Sequence, residues 1–333
     1  MRVDGDTQTV IYTGRAVLRD TSGPVRRVAV RVNSIVRDYM ARPQLPDLNG
    51  YTEEFMEADT LTTFRYYDNL TARGEDTFIN DWSYDYGYDY ATEDKGLSFP
   101  ITGRFSPAQK LVLSVVDAVF LAAEIKDAGG DVIALRELIG EVGDFNLDFN
   151  GDFRVIGGRE EARSGFVVLD MASYPGAAEV TVSVKMSSGK ELHQVYRVAD
   201  TCSRYVLYYL NAYGGWDFLL MEGQPSLSAG LTRHTVKPWY NNSDPFARGE
   251  LNFCNESSPE WTLRTGWLSD EQSGLMHHLL GSTDVYMTDL ESGLTMPVTL
   301  TDTDIEYRTY RSNGCRLVNY EVTARLAQDR QRR

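Results

Sequence analysis

RYVLYYLNAYGGWDFLLMEG, residues Arg204–Gly223, is the stretch of sequence that decides the fold class. Two aromatic-rich apolar runs flank a short polar segment, Asn211–Gly215, which ends in two glycines. Side chains alternate along each run, and this predicts a β-hairpin with one face or both faces buried in a sheet sandwich. Gly214 and Gly215 can adopt the positive φ angles that such a connection needs. The stretch predicts antiparallel β-structure and carries no catalytic pattern.

Further strand patterns lie before this hairpin. Val180–Met186 alternates between apolar and polar residues, turns at Ser187–Gly189 and is followed by a second strand pattern, Leu192–Val198. Lys110–Val116 and Ala118–Ile125 are two more predicted strands. Several hairpins in series at short intervals are typical of an antiparallel β-sandwich.

The last hundred residues have a different pattern. Ser269 is a predicted N-cap for a helix over Asp270–Leu280, with acidic residues in the first turn. The apolar residues of this helix fall on one stripe at helical spacing: Leu275, Met276, Leu279 and Leu280. One strand precedes the helix and four follow it, so we expect an α+β unit with one helix on a sheet.

These patterns predict a mainly β protein, with antiparallel β-sandwich domains followed by a C-terminal α+β domain. We expect an N-terminal β domain over 1–105 and a β-sandwich domain over 106–225 that ends in the Arg204–Gly223 hairpin. A linker over 226–242 then leads to the α+β domain over 243–333. A chain of 333 residues is long enough for two or three such domains.

Charge and hydropathy exclude several classes of partner. Asp and Glu number 48 against 33 Lys and Arg, and the resulting net charge of −15 repels a phosphate backbone. No segment approaches the roughly 18 apolar residues of a membrane span. The N-terminal residues also lack the pattern of a signal peptide. We therefore expect neither nucleic acid nor membrane as a partner, and synthesis in the cytoplasm.

Neither the cysteines nor the histidines form a metal-binding pattern. Cys202, Cys254 and Cys315 are odd in number and far apart, which argues against both a structural zinc site and a disulfide framework. His277 and His278 are adjacent on the predicted helix, about 100° apart, and so do not share one face as an i, i+4 pair would. We expect no metal and no cofactor.

A calcium loop is the competing interpretation of Asp144–Val155. The start of DFNLDFNGDFRV resembles an EF-hand loop, but Gly157 stands where the bidentate glutamate is required. The alternating Phe and Leu residues around Asn150-Gly151 instead predict a β-hairpin. The sequence alone does not decide whether an acidic loop also holds calcium.

Motifs for catalysis are missing from the sequence. It contains no GxSxG nucleophile elbow, no HExxH pair and no glycine-rich phosphate loop. Carboxylates are so abundant that a glycosidase pair cannot be recognised from sequence. We expect that the protein is not an enzyme and has no catalytic residues, with a glycan hydrolase as the remaining enzymatic alternative.

Aromatic residues are the candidates for binding. Asp81–Tyr90, DWSYDYGYDY, places a tyrosine at every second position among acidic residues. Such a segment is either a patch for partner or sugar contact, or an edge strand or loop whose rings pack on one face. The candidate interface residues are Trp82, Tyr84, Tyr86, Tyr88, Tyr90, Tyr213 and Trp216.

Three segments resemble a known family. They are YTGRAVLRD with the following VRVNSIVRDYM, the hairpin segment Tyr209–Asp217, and the closing unit that begins EWTLRTGWLSDEQ at Glu260. Each is similar to the corresponding segment of a family of structural proteins in tailed phages and prophages of Bacteroidota-type bacteria. The resemblance is broad but patchy, and it is strongest over 204–326.

The resemblance implies a distal-tail-like component of the tail or baseplate, assembled as a ring at the end of the tail tube. Its expected partners are other copies of itself and neighbouring virion proteins, and its expected location is the virion after synthesis in the host cytoplasm. The family contributes no catalytic residues. The alternative is a carbohydrate-binding β-sandwich module that uses the same aromatic residues to recognise a host surface. Sequence does not distinguish tail from neck or capsid positions.

Overall fold

The protein is mainly β and sandwich-like, with one α-helix in the part of the chain that the structure describes, as predicted. The computed structural model describes residues 2–4, 10–13, 17–20, 27–29, 44–48, 53–57, 61–68, 71–79, 100–140, 145–147, 153–155, 163–199, 203–211, 214–237, 250–301, 317–327 and 331–332. The chain forms two compact units. The first comprises Met1–Phe99, Lys110–Arg197 and Leu210–Asp217, and the second comprises Pro100–Gln109, Val198–Tyr209 and Phe218–Arg333.

The strands before the central hairpin are β1 (Arg2–Asp4), β2 (Val10–Thr13), β3 (Val17–Asp20), β4 (Arg27–Ala29), β5 (Phe55–Glu57), β6 (Leu61–Asp68), β7 (Thr71–Ile79), β8 (Arg104–Phe105), β9 (Lys110–Asp127), β10 (Val132–Ile139), β11 (Phe145–Leu147), β12 (Phe153–Val155), β13 (Arg163–Asp170), β14 (Ala177–Met186) and β15 (Glu191–Val198). The remaining elements are β16 (Tyr205–Leu210), β17 (Trp216–Met221), β18 (Ser226–Val236), β19 (Leu251–Arg264), α1 (Asp270–Leu280), β20 (Val285–Asp289), β21 (Leu294–Leu300), β22 (Glu321–Leu326) and β23 (Gln331–Arg332).

The main sheet of the first unit is built around one long strand, β9. Strands run in the order β5-β13-β9-β14-β15, and β10 also pairs with β9. All these pairings are antiparallel, and β14 pairs with β15 over the hairpin predicted at this position. β9 is buried along most of its length because its apolar residues follow one another almost without interruption. A smaller sheet of this unit has the order β2-β1-β6-β7.

Asp117 lies at an irregularity within β9. Two strands were predicted here, but the structure has one strand of 18 residues in which Asp117 takes a φ of 56°. The Asp117 N–H donates to Ser164 Oγ at 2.9 Å, and the Ser187 N–H donates to the Asp117 carbonyl at 3.0 Å. Aspartate tolerates this left-handed conformation better than most residues. The registers of β9 with β13 and with β14 both shift near this residue, and the strand continues beyond it.

The sheet of the second unit carries the helix on one face. Its order is β17-β16-β20-β21-β22-β19-β18, with β23 paired to β19. Met276 and Leu279 of α1 are fully buried in the core of this unit, together with Leu263, Met287 and Val322 from the sheet. This arrangement confirms the predicted unit of one helix on a sheet.

The N-terminus of α1 has the capping predicted from sequence. Ser269 is the N-cap, and its hydroxyl accepts from the Gln272 N–H at 3.3 Å. Gln272 Oε1 in turn accepts from the Ser269 N–H at 2.9 Å, which completes a capping box. The helix spans Asp270–Leu280, as predicted, because both end signals are local in sequence.

The central hairpin, β16–β17, was predicted to close the β-sandwich domain. In the structure β16 pairs with β20 in the C-terminal sheet, with Tyr205 opposite Asp289 and Tyr209 opposite Val285. All six residues of β17 are buried, so both faces of the hairpin are covered. The local pattern of residues predicts the hairpin correctly, but it does not specify which distant strand pairs with it.

The segment predicted as a linker, 226–242, begins instead with a strand. Ser226–Val236 forms β18 and pairs antiparallel with β19. The prediction was wrong because β18 has no buried face to enforce a strong apolar and polar alternation. Cross-strand pairing, rather than burial, holds it in place.

The calcium-like segment contains the hairpin predicted for it. β11 and β12 pair antiparallel, with Phe145 opposite Val155 and Leu147 opposite Phe153. This confirms the strand pairing. The prediction that concerns calcium falls on residues of the turn, which lie outside the described residues.

Candidate interaction surface

Most of the predicted interface residues lie outside the described residues. These are Trp82, Tyr84, Tyr86, Tyr88, Tyr90 and Tyr213. Their role in partner or sugar contact stays a prediction.

Trp216 is in the interior rather than on a surface. Its exposed fraction is 1 %, which corrects the prediction of an interface role. The Trp216 N–H donates to Ser114 Oγ at 2.7 Å, and the Ser114 hydroxyl donates to the Trp216 carbonyl at 3.0 Å. One buried serine therefore holds both backbone groups of Trp216 in the way that a neighbouring strand would. An indole buried in this manner offers no area to a partner.

A buried carboxylate stabilises the turn of the central hairpin. Asp217 is fully buried, and its Oδ2 accepts from Asn211 Nδ2 at 2.7 Å. Asn211 Oδ1 then accepts from the Gly215 N–H at 2.9 Å. Burial, together with the charge of Asp217, raises the pKa of Tyr196 above its ordinary value. Because these groups have no access to solvent, their arrangement fits a structural role better than a reaction site.

Gly214 and Gly215 have different reasons to be glycine. Gly214 has a φ of 79°, as the turn prediction requires. Gly215 is outside the positive-φ region, but a Cβ there would lie 3.1 Å from Ser114 Cβ and 3.2 Å from Asn211 Nδ2. The second glycine therefore allows the turn to approach Ser114 closely.

A second polar cluster of the first unit joins Glu53, Arg136 and Tyr174. The Tyr174 hydroxyl donates to Glu53 and accepts from Arg136 Nε, the latter at 2.7 Å. Burial and the bond to Glu53 raise the pKa of Tyr174, although Arg136 opposes them. A tyrosine that keeps its proton in this way is a poor general base. The cluster connects Glu53, two residues before β5, to Arg136 of β10.

Metal binding has no support among the described residues. No group of three or more His, Cys, Asp or Glu side chains within them could hold an ion. His277 and His278 lie with ring centroids 4.0 Å apart, and His278 is buried.

Helix α1 has 11 residues and is too short to cross a bilayer. The described part of the chain contains no helix that is long and apolar enough to do so.

β18 and the first part of β19, Leu251–Pro259, form an exposed arm. β18 pairs with β19 from Ser226 opposite Thr262 to Val236 opposite Leu251. β22 pairs with β19 only over Glu260–Arg264, beyond the arm, whereas the short strand β23 pairs with β19 at Asn255 and Glu256, within it. Ten of the 11 residues of β18 are exposed and the other is intermediate, so neither face of this strand is covered.

Apolar side chains of the arm face solvent. The exposed fractions are 63 % for Leu227, 61 % for Leu231 and 69 % for Phe253. Leu227 and Leu231 lie on the same face of β18, because they are four residues apart in an unbroken register. Leucine and phenylalanine side chains at this exposure, close together on one arm, are typical of a surface that becomes buried in an assembly.

The outer edge of β18 lacks the usual protection against pairing. Among the described strands, β19 is the only one that pairs with it. SLSAGLTRHTV contains no proline, no lysine and no acidic residue, and Arg233 is its only charged residue. Edge strands that avoid association are generally short, charged or interrupted. Sequence reasoning missed this surface, although Leu227, Ala229 and Leu231 alternate with serine and glycine in the sequence.

No protein-family model matches the chain, and a search of curated proteins finds no similar one at a significant level.

Proposed function

We propose that the protein is a structural subunit of a phage virion, a component of the tail or baseplate that acts through self-assembly and contacts with neighbouring virion proteins. The observation that carries the proposal is the β18–β19 arm, with a strand edge that no other described strand pairs with and five exposed large apolar side chains. The resemblance to phage structural proteins supplies the virion context.

The arm favours assembly for an energetic reason. Each exposed leucine retains more than half of its surface in the single chain. Its burial by a partner would contribute at roughly 25 cal/mol per Å² of apolar area removed from water. The backbone groups along an edge strand add hydrogen bonds to this contact when another strand joins the sheet. Pairing of the β18 edge with a partner strand would therefore stabilise an assembly.

The assembly proposal is tested with a charge-substituted arm. Leu227→Lys combined with Leu231→Lys places two cations on the exposed face of β18. Because both side chains are exposed, we expect the stability of the single chain to change by no more than about 0.5 kcal/mol. Native mass spectrometry at micromolar concentration should show oligomers of the unmodified protein and only the 37.5 kDa chain of the double variant.

Leu294→Lys combined with Leu317→Lys is the matched control. These leucines are 53 % and 52 % exposed and lie outside the arm. The control variant should assemble like the unmodified protein. Equal loss of assembly in both variants would mean that added charge, rather than the arm, is responsible. The virion context is tested separately, by detecting the chain in purified phage particles made by the cells that carry its gene.

A further inference from the structure

The regular part of β18 is long enough to serve as a complete pairing edge. Ser226–His234 pairs with β19 without a register shift, and the first irregularity comes between His234 and Thr235. At about 3.3 Å per residue, this run offers an edge of about 30 Å. An edge of this length is comparable to the longer strands of globular proteins.

Symmetry restricts how two copies of β18 can pair. A two-fold axis perpendicular to the sheet makes the strands antiparallel, and residues directly opposite each other then lie on one face. If Ala229 is opposite Ala229 of the second copy, Leu227 is opposite Leu231 of the second copy, and the same pair occurs again across the axis. On the other face Ser228 is opposite Gly230. This register puts the four exposed leucines together on one face.

Two other symmetric registers, with the axis one or two residues further along the strand, are less favourable. With the axis at Leu231, Ala229 is opposite Arg233, and with the axis at Gly230, Leu227 is opposite Arg233. Both place an apolar side chain against the only charged residue of the strand. Directly opposed apolar side chains on one face stabilise a pair of strands, so the leucine pairs favour the axis at Ala229.

The distribution of charge also favours a second copy of the chain as the partner of β18. The chain carries a net charge of −15, so two copies repel each other over most of their surfaces. β18 contains no acidic residue, and in the register centred on Ala229 its arginine is opposite Pro225. The strand is therefore a place where this acidic protein can meet itself without bringing like charges together.

We infer that two copies of the protein associate by antiparallel pairing of their β18 strands, with Ala229 at the two-fold axis, which joins their two sheets into one. This inference rests on the proposed assembly function and names the partner of the arm. A contact of this type is self-complementary and closes after two copies.

Cysteine substitution tests the register directly. Opposed Cα atoms in an antiparallel pair are about 4.5–5.5 Å apart, within the range for a disulfide. Ala229→Cys should therefore give a covalent dimer under mild oxidation, at least about tenfold more than the unmodified protein with its native cysteines. In Leu231→Cys the two thiols would be four residues out of register, about 13 Å along the strand, and should stay at the background level.

A mixture of Leu227→Cys and Leu231→Cys should yield the mixed dimer, since these positions are opposite each other in the inferred pairing. Dimer from Leu231→Cys alone, without dimer from Ala229→Cys, would overturn the register. Background levels from all of the variants would overturn pairing with a second copy. In that case the lysine variants of the arm show whether assembly through the arm still holds with another partner.

Discussion

Ser114 provides the sharpest test of the structure around the central hairpin. Its hydroxyl is buried, accepts from the Trp216 N–H at 2.7 Å and donates to the Trp216 carbonyl at 3.0 Å. Ser114→Ala removes both interactions and adds no bulk. Loss of a partner for a buried polar group costs about 1–3 kcal/mol. Because two backbone groups are affected, we expect the free energy of unfolding to fall by about 2–4 kcal/mol.

Urea denaturation followed by tryptophan fluorescence and circular dichroism measures this loss. The midpoint should fall while the dependence on urea concentration stays the same, because the surface exposed on unfolding is unchanged. Ser228→Ala is the control, since Ser228 lies on the exposed arm and should change stability by no more than about 0.5 kcal/mol. If Ser114→Ala is as stable as Ser228→Ala, the inferred role of the Ser114 hydroxyl is wrong.

Two further predictions concern close packing and acid stability. Gly165→Ala should lower the urea midpoint and the stability by roughly 1–3 kcal/mol, because its Cβ would lie 1.9 Å from the Met56 carbonyl oxygen; an unchanged midpoint would contradict this packing. Burial raises the pKa of Asp289, but the bond from Arg204 and a backbone N–H outweigh it and lower the pKa below 3.8. The ionised Asp289 therefore contributes to the free energy of unfolding above pH 3.8, and this contribution is lost as the pH falls through the lowered pKa. In Asp289→Asn, the stability measured by circular dichroism should fall less steeply as the pH is lowered. The same pH dependence in the variant and the unmodified protein would contradict this prediction.

Elements with local signals could be predicted from the sequence. Helix α1 follows from a cap at Ser269, acidic residues in the first turn and an apolar stripe, and all of these lie within 12 residues. The β14–β15 and β11–β12 hairpins follow in the same way from alternation and a turn. Neither long-range pairing nor burial was required to recognise them.

Other elements depend on information that is distant in sequence. The pairing of β16 with β20 joins Tyr205 to a position 84 residues away, Asp289, and nothing local specifies that partner. Asp217 is an acidic residue between two aromatic residues in the sequence, so the sequence offers no sign that it is fully buried. The buried position of Asp217 is explained only by the structure, in which the Asn211 side chain donates a hydrogen bond to it.

The candidate surface was missed for a related reason. Sequence reasoning looked for aromatic residues and for strands with one buried face, whereas β18 is exposed on both faces. Its signals are the absence of proline and acidic residues and the spacing of Leu227, Ala229 and Leu231. Such a pattern is weak by itself and becomes informative once the strand is known to be at a sheet edge.

Hydrogen exchange along β18 is the most direct measurement of assembly through the arm. Amide exchange is followed by mass spectrometry on dilute and on concentrated protein, with peptides that cover Ser226–Val236. We expect protection of these amides to increase with protein concentration, because the outer edge acquires hydrogen-bond partners, while α1 remains unchanged as an internal control. Oligomers that form without any added protection in β18 would contradict the account.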